Sequence, residues 1–331
     1  TLEQQIRAAS QQEHRRVTRA EHFALHGHFK EARNALTGDG LLDTNDPRVR
    51  EQIKAMYPEA QQASITLPAD LKENEKYYFE LGDVKVPHKD SSGAVHWVDV
   101  PAFDYVMGRL PKYKAQGPDG MRYEHYQDMP KDYVEKLVLH ALNDALPGEF
   151  RTVFREGLQL AGDKGKTNSE GVPLARPIVI PTAIRRLAAC VMCAQMRRDM
   201  AEALQKIRQL GLGVPNGVEI AYRTVEQALA YMESDAGSDI DQFPVALAYD
   251  LASAYNNVCR AQMISEATDR HPQMVRFLNL LYGESGTLYF TAGGKVVESF
   301  GCHDGVLQGC PLGLHGLCFA LWQFFQDLAD F

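Results

Sequence analysis

Asp250 closes a run of apolar residues, Val245-Ala246-Leu247-Ala248-Tyr249, and opens the segment Leu251-Ala252-Ser253-Ala254-Tyr255-Asn256-Asn257. A short apolar run of this kind reads as a buried strand, and a carboxylate at its end faces a cleft rather than a core. Hard cations such as Mg²⁺ or Mn²⁺ take oxygen ligands, so this carboxylate is a natural first ligand for one. Phosphoryl transfer by a metal pair needs further carboxylates from elsewhere in the chain. An aspartate here also serves as a plain turn cap, and the residue alone does not separate the two readings. A second stretch follows downstream: Gly305-Val306-Leu307-Gln308-Gly309-Cys310-Pro311-Leu312-Gly313, leading into the apolar Leu317-Cys318-Phe319-Ala320-Leu321-Trp322. Its glycines permit backbone to approach backbone or ligand closely.

Two further clusters bring cations. Lys114-Ala115-Gln116 runs into Gly117-Pro118-Asp119-Gly120, a turn in which proline presets the bend and glycine takes positive φ. A polar loop from Gly162 to Gly171 carries Lys164 and Lys166 and returns to the apolar strand Arg176-Pro177-Ile178-Val179-Ile180. From Arg151 to Arg208 cations outnumber acids, a local basic stripe able to hold phosphates in a chain whose net charge is −8. A solvated helix face explains any one of these residues equally well. The overall acidity argues against a surface that coats nucleic acid generally.

The elements that must position these residues are mixed. Residues 1–60 read as a helical segment, with Asp46-Pro47 as cap and first-turn proline for a helix from Arg48 to Met56. The histidines of this segment, His14, His22, His26 and His28, lack a carboxylate at metalloprotease spacing and read as surface residues. Residues 61–99 read as a linker with a short hairpin around Val84 to Val100, residues 100–240 as one region, and 241–331 as the region built on Asp250. Tyr133 to Leu146 is patterned as an amphipathic helix, and Ala261 to Leu281 as a helix interrupted near His271-Pro272. Gly293-Gly294 between apolar runs marks a hairpin over Gly283 to Ser299. Cys190-Val-Met-Cys193 has the spacing of half a zinc site but no second pair at finger spacing, and falls in a helix as core cysteine. Gly211-Leu-Gly213 lacks the later glycine and the preceding strand of a dinucleotide loop. Six thinly spread cysteines suit a reducing, intracellular compartment, and no apolar run reaches the roughly 20 residues that span a bilayer.

Taken in order, Lys114 with Gly117-Pro-Asp-Gly120, Arg176-Pro-Ile, Gln209-x-Gly211, Asp250 with Ala254-Tyr255, and Gln308-Gly-x-Pro311-Leu312 resemble the motifs of reverse transcriptases. Asn256 and Gly313 resemble the eukaryotic non-LTR retrotransposon branch. That resemblance implies an α+β right-hand polymerase: fingers over 100–240, a partial palm of few antiparallel strands over 241–331, and an N-terminal helical segment. It implies RNA template, DNA primer and deoxynucleoside triphosphates as partners, a magnesium (or manganese) pair, no membrane, and a nuclear site of action.

Residue by residue, Asp250 and the carbonyl of Leu251 are expected at the metal. Lys164 or Lys166 and Arg176 are expected at the triphosphate, whose charge must be neutralised. Tyr255 would lie under the sugar, where it blocks a 2′-hydroxyl, and Gln308 and Gly309 would form the floor beneath template and nucleotide. Lys114, Arg185 and Arg186 are expected on nucleic acid.

Two departures stand out. Cys310 occupies a position where the family often has aspartate, and the 331 residues contain no aromatic-x-Asp-Asp. Asp327 and Asp330, three apart in a helical run, do not replace it, so the stretch in hand reads as a fragment that would not polymerise alone. The competing readings are a catalytically dead nucleic-acid-binding retroelement remnant and a maturase-like RNA-binding protein. Coding DNA beyond codon 331 is expected to encode the paired aspartates in frame; a stop codon there, found by sequencing, removes the enzyme reading.

Overall fold

A computed structural model describes residues 40–58, 64–235 and 250–330. The expected helices before residue 40 and the strand Val245–Tyr249 lie outside the described residues. The described residues form two compact units, one from residue 40 through Ile53 with Leu160–Pro177, the other from Lys54 through Gln159 with Ile178 onward.

In chain order the helices are α1 (Pro47–Lys54), α2 (Ala102–Met107), α3 (Tyr123–Gln127), α4 (Lys131–Leu142), α5 (Gly148–Arg151), α6 (Ala183–Lys206), α7 (Gly217–Asp235), α8 (Arg260–Arg270), α9 (Val275–Tyr282), α10 (Gly313–Ala320) and α11 (Trp322–Asp330). The strands are β1 (Asp83–Lys89), β2 (Val95–Pro101), β3 (Gly157–Thr167), β4 (Pro173–Pro181), β5 (Gly286–Ala292) and β6 (Lys295–Cys302). Helix and sheet are thus mixed, as an α+β class requires. None of these helices is long and apolar enough to cross a membrane.

In the smaller unit α1 begins where Asp46 caps it, accepting a 2.9 Å bond from Arg48 N, with Pro47 in the first turn. Gln52 of α1 then reaches β4, accepting from Ala175 N at 2.5 Å. Leu41 bridges Gly162 antiparallel, with Leu42 N donating to Ala161 O at 2.7 Å. This added edge corrects the expected loop Gly162–Gly171: β3 stays extended through Thr167, and only a tight turn pinned by Asn168 remains.

The larger unit is organised around α6. Its first turns are buried on every side, from Ala183 through Ala189, as a helix enclosed by α2, α3 and α4 must be. The four-stranded sheet has the order β4-β3-β5-β6. Within 241–331 the strands β5 and β6 pair antiparallel, and β3, from outside that region, joins β5 in parallel, Gly157 opposite Leu288 and Gln159 opposite Phe290. In the chain β4 and all the residues from α6 through α9 lie between β3 and β5, a long connection of the kind parallel neighbours require. The β5–β6 hairpin turns on Gly293 and Gly294, both at positive φ. The break expected at His271-Pro272 separates α8 from α9. By contrast α4 stops at Leu142, short of the expected Leu146, and Asp144 takes φ 52° to redirect the chain.

Two histidines sit inside this unit. His315 on α10 is 5% exposed, its Nδ1 3.8 Å from Cys193 Sγ, and burial pulls its pKa from 6.5 down to about 4. Burial lowers His271 in the same direction. The folded state therefore binds fewer protons than the unfolded chain once pH drops below 6.5. Stability is expected to fall between pH 6.5 and 4, by up to about 3 kcal/mol from His315. Urea unfolding at stepped pH checks this; His315→Asn should flatten the slope, and an unchanged slope would remove His315 as its source.

Candidate functional site

The turn after Asp250 is built by local bonds. Ser253 takes φ 48°, its carbonyl accepts from Asn256 N and Asn257 N, and Asn257 Nδ2 donates to Ala252 O at 2.9 Å. Asp250 is exposed, Leu251 is 48% exposed, and Asn256 is buried. Tyr255 is half-buried, and its phenol is pushed up first by that burial and then by the Cys318 thiol.

Against this turn lies the Gln308-Gly309 loop. Val306 N donates to Tyr255 O at 2.8 Å, and Gly305 N to Val258 O at 3.0 Å. The other side of the loop docks on β4, where Val179 N donates to Gln308 O at 2.9 Å. Glycine is required at these approaches. A Cβ on Gly305 (φ 77°) would strike the Asn256 carbonyl, and one on Gly309 (φ 136°) the Val179 carbonyl. At Gly313 it would lie 3.2 Å from the Tyr255 ring. Turn and loop are therefore one hydrogen-bonded body, with the Gln308 side chain partly exposed and Gly309 open to solvent.

Two residues that the sequence reading passed over hold the start of this loop. Asp304 Oδ1 accepts from Arg260 N at 2.9 Å and from Gly305 N at 3.0 Å. Arg260, 4% exposed, sends Nε to Gly305 O at 2.8 Å, Nη1 to Glu284 O at 3.2 Å and Nη2 to Cys302 Sγ at 3.3 Å. The stretch Phe300–Asp304, longer than the motif resemblance leads one to expect, completes β6 through Cys302 and then turns at Asp304. No spacing in the sequence signals that Arg260 and Asp304 meet.

Of the other expected residues, Lys164, Lys166 and Arg176 are exposed on the smaller unit, and Lys114 is exposed on the larger. The turn that follows Lys114 forms as read, with Gly120 N on Gly117 O at 3.1 Å, and Gly117 backs onto Pro181 and Thr182. Arg185 and Arg186 correct the expectation of a nucleic-acid contact. Arg185 has no exposed surface, donates from Nη1 to Phe154 O at 2.5 Å, and lies 4.9 Å from the Tyr282 ring. Arg186, 9% exposed, donates to Ala115 O at 2.8 Å and lies over Tyr123. Both start a helix whose first turns are enclosed, so they hold carbonyls inside the fold rather than phosphates outside it.

A magnesium pair needs several carboxylates around shared positions. Among the described residues no three His, Cys, Asp or Glu side chains gather to hold a metal, and Asp250 belongs to no such group. Among the described residues the donors do not fit the pair. Cys190 and Cys193 fall within α6 as free thiols, both raised by burial.

No model of a protein family matches the chain, and no curated protein matches it significantly.

Gly309→Ala is expected to destabilise the larger unit by roughly 3 kcal/mol or more, from left-handed strain and backbone collision together. At Gly293, also at positive φ but with open space around it, alanine should cost only about 1 kcal/mol. Chemical denaturation of both variants measures the difference; equal losses would remove the close approach to Val179 as a constraint.

Proposed function

We propose that this chain is the fingers and upstream palm of an RNA-directed DNA polymerase similar to the reverse transcriptases of eukaryotic non-LTR retrotransposons. The observation that carries the reading is the interlock of the Tyr255 turn with the Gln308-Gly309 loop through the 2.8 Å bond from Val306 N to Tyr255 O. Residues widely separated in sequence, and matched to two polymerase motifs on sequence alone, meet in a single body. The half-buried Tyr255 ring rests against Gly313 and keeps part of its surface exposed, the part on which a sugar ring would lie in this reading. Gln308, fixed through its own carbonyl, keeps its amide free to meet a base or ribose. On the smaller unit the exposed Lys164, Lys166 and Arg176 are cations of the kind a triphosphate requires, and on the larger unit Lys114 is one of the kind a template backbone requires.

The reaction so read is attack of a primer 3′-hydroxyl on the α-phosphate of a deoxynucleoside triphosphate, releasing pyrophosphate. This chain's residues bind and orient the nucleotide, and Tyr255 rejects a 2′-hydroxyl by occupying its space. That Asp250 belongs to no group of three metal-binding side chains among the described residues favours one second reading, a nucleic-acid-binding retroelement remnant that retains the shape without the synthesis.

Primer extension by the protein of the complete reading frame, on an RNA template with a DNA primer, separates the two. Asp250→Ala should reduce extension by a factor of roughly a hundred or more while leaving duplex affinity unchanged. Tyr255→Ala should admit ribonucleotides. Duplex binding with no extension by the unmodified protein would favour the remnant, and neither activity would remove both readings.

A further inference from the structure

We infer that Arg260 and Asp304 form a buried latch that sets the position of Gln308 relative to Tyr255, making them positioning residues for nucleotide binding; the inference rests on the polymerase reading above. Arg260 lies a few residues beyond Tyr255, at the first turn of α8, and Asp304 a few residues before Gln308. Each bonds the other's segment. Asp304 Oδ1 takes Arg260 N at 2.9 Å and so caps α8 from outside the helix, satisfying one of its unpaired amides. Arg260 Nε returns a 2.8 Å bond to Gly305 O.

The remaining guanidinium nitrogens give the latch a fixed base. Nη1 holds Glu284 O before β5 and Nη2 holds Cys302 Sγ at the end of β6, so one planar fork ties both ends of a hairpin to the loop. A lysine cannot reproduce this, since three donors in separate fixed directions are a property of guanidinium. Tyr282, whose ring centre is 5.2 Å from Arg260 Cζ and 4.9 Å from Arg185 Cζ, continues the chain of contacts by accepting Leu307 N at 3.4 Å. The loop is thereby anchored on both sides of Val306, the residue bonded to Tyr255. Neither Arg260 nor Asp304 reaches the exposed face where Gln308 and Gly309 lie, so any effect on ligand passes through the loop.

The test compares Asp304→Ala, Asp304→Asn and Arg260→Lys in the otherwise unmodified chain. Asparagine keeps an oxygen acceptor for Arg260 N; alanine does not. Amide exchange over 303–310 and 252–258 should quicken about tenfold or more in Asp304→Ala and Arg260→Lys and stay within roughly twofold in Asp304→Asn. Deoxynucleoside triphosphate affinity should drop about tenfold in the first two variants, while affinity for an RNA–DNA primer duplex stays within roughly twofold. Unchanged exchange in Asp304→Ala overturns the latch. Parallel losses of nucleotide and duplex affinity that track melting temperature overturn the positioning role in favour of a structural one. If the unmodified chain binds neither ligand, the polymerase reading fails instead, and the exchange comparison still decides whether Asp304 fixes the loop.

Discussion

Close approach of backbone to backbone around the Gln308-Gly309 loop is the constraint on which the rest of this arrangement depends. The loop lies between a turn and a strand, with Val306 bonded to Tyr255 on one side and Gln308 to Val179 on the other. Main-chain groups this near leave no room for Cβ atoms at Gly305 and Gly309. The same closeness removes water from the peptide groups, which must then find partners within the protein. Hence the density of bonds from side chain to main chain around the loop.

Asp304, Tyr282 and Arg260 supply those bonds, and buried arginines make bonds of the same kind elsewhere in the larger unit. Arg155 donates to Leu280 O and pairs with Glu284, Arg185 donates to Phe154 O, and Arg260 serves three acceptors. Burying a guanidinium without a full set of partners is costly. Nε and Nη2 of Arg185 and Nη2 of Arg155 lack hydrogen-bond partners, and the Tyr282 ring beneath Arg185 and Arg260 offsets part of that cost by cation–π attraction. The benefit is geometric. A rigid fork with several donors fixes connecting segments that have no ladder of their own.

What was legible in the sequence follows from range. Features set by neighbouring residues came through: the glycine turn of β5–β6, the break at His271-Pro272, the cap at Asp46, and the Gly117–Gly120 turn. The need for glycine at Gly309 was legible as chemistry, because few roles other than close approach explain Gln-Gly before Pro-Leu. Features set by partners far along the chain were not. The parallel pairing of β3 with β5 depends on a long crossover, and β3 runs past Gly162 because residues near Leu41 add an edge to it. Arg185 and Arg186 misled because a pair of adjacent arginines at a helix start has the same composition whether the helix is enclosed or exposed.

The distribution of charge follows from the same division. The larger unit turns Arg155, Arg185, Arg186 and Arg260 inward, where they serve main-chain carbonyls, so these guanidinium groups are out of direct reach of an external ligand. Lys164, Lys166 and Arg176, by contrast, are exposed on the smaller unit, and Lys114 sits exposed beside the turn that Arg186 holds from beneath. On a chain with net charge −8, exposed cations such as these are the groups through which a polyanion would make contact. Binding through lysines alone would be weak and strongly salt-dependent, so on the proposed polymerase reading selectivity would rest on contacts that salt does not screen, those of Tyr255 and Gln308.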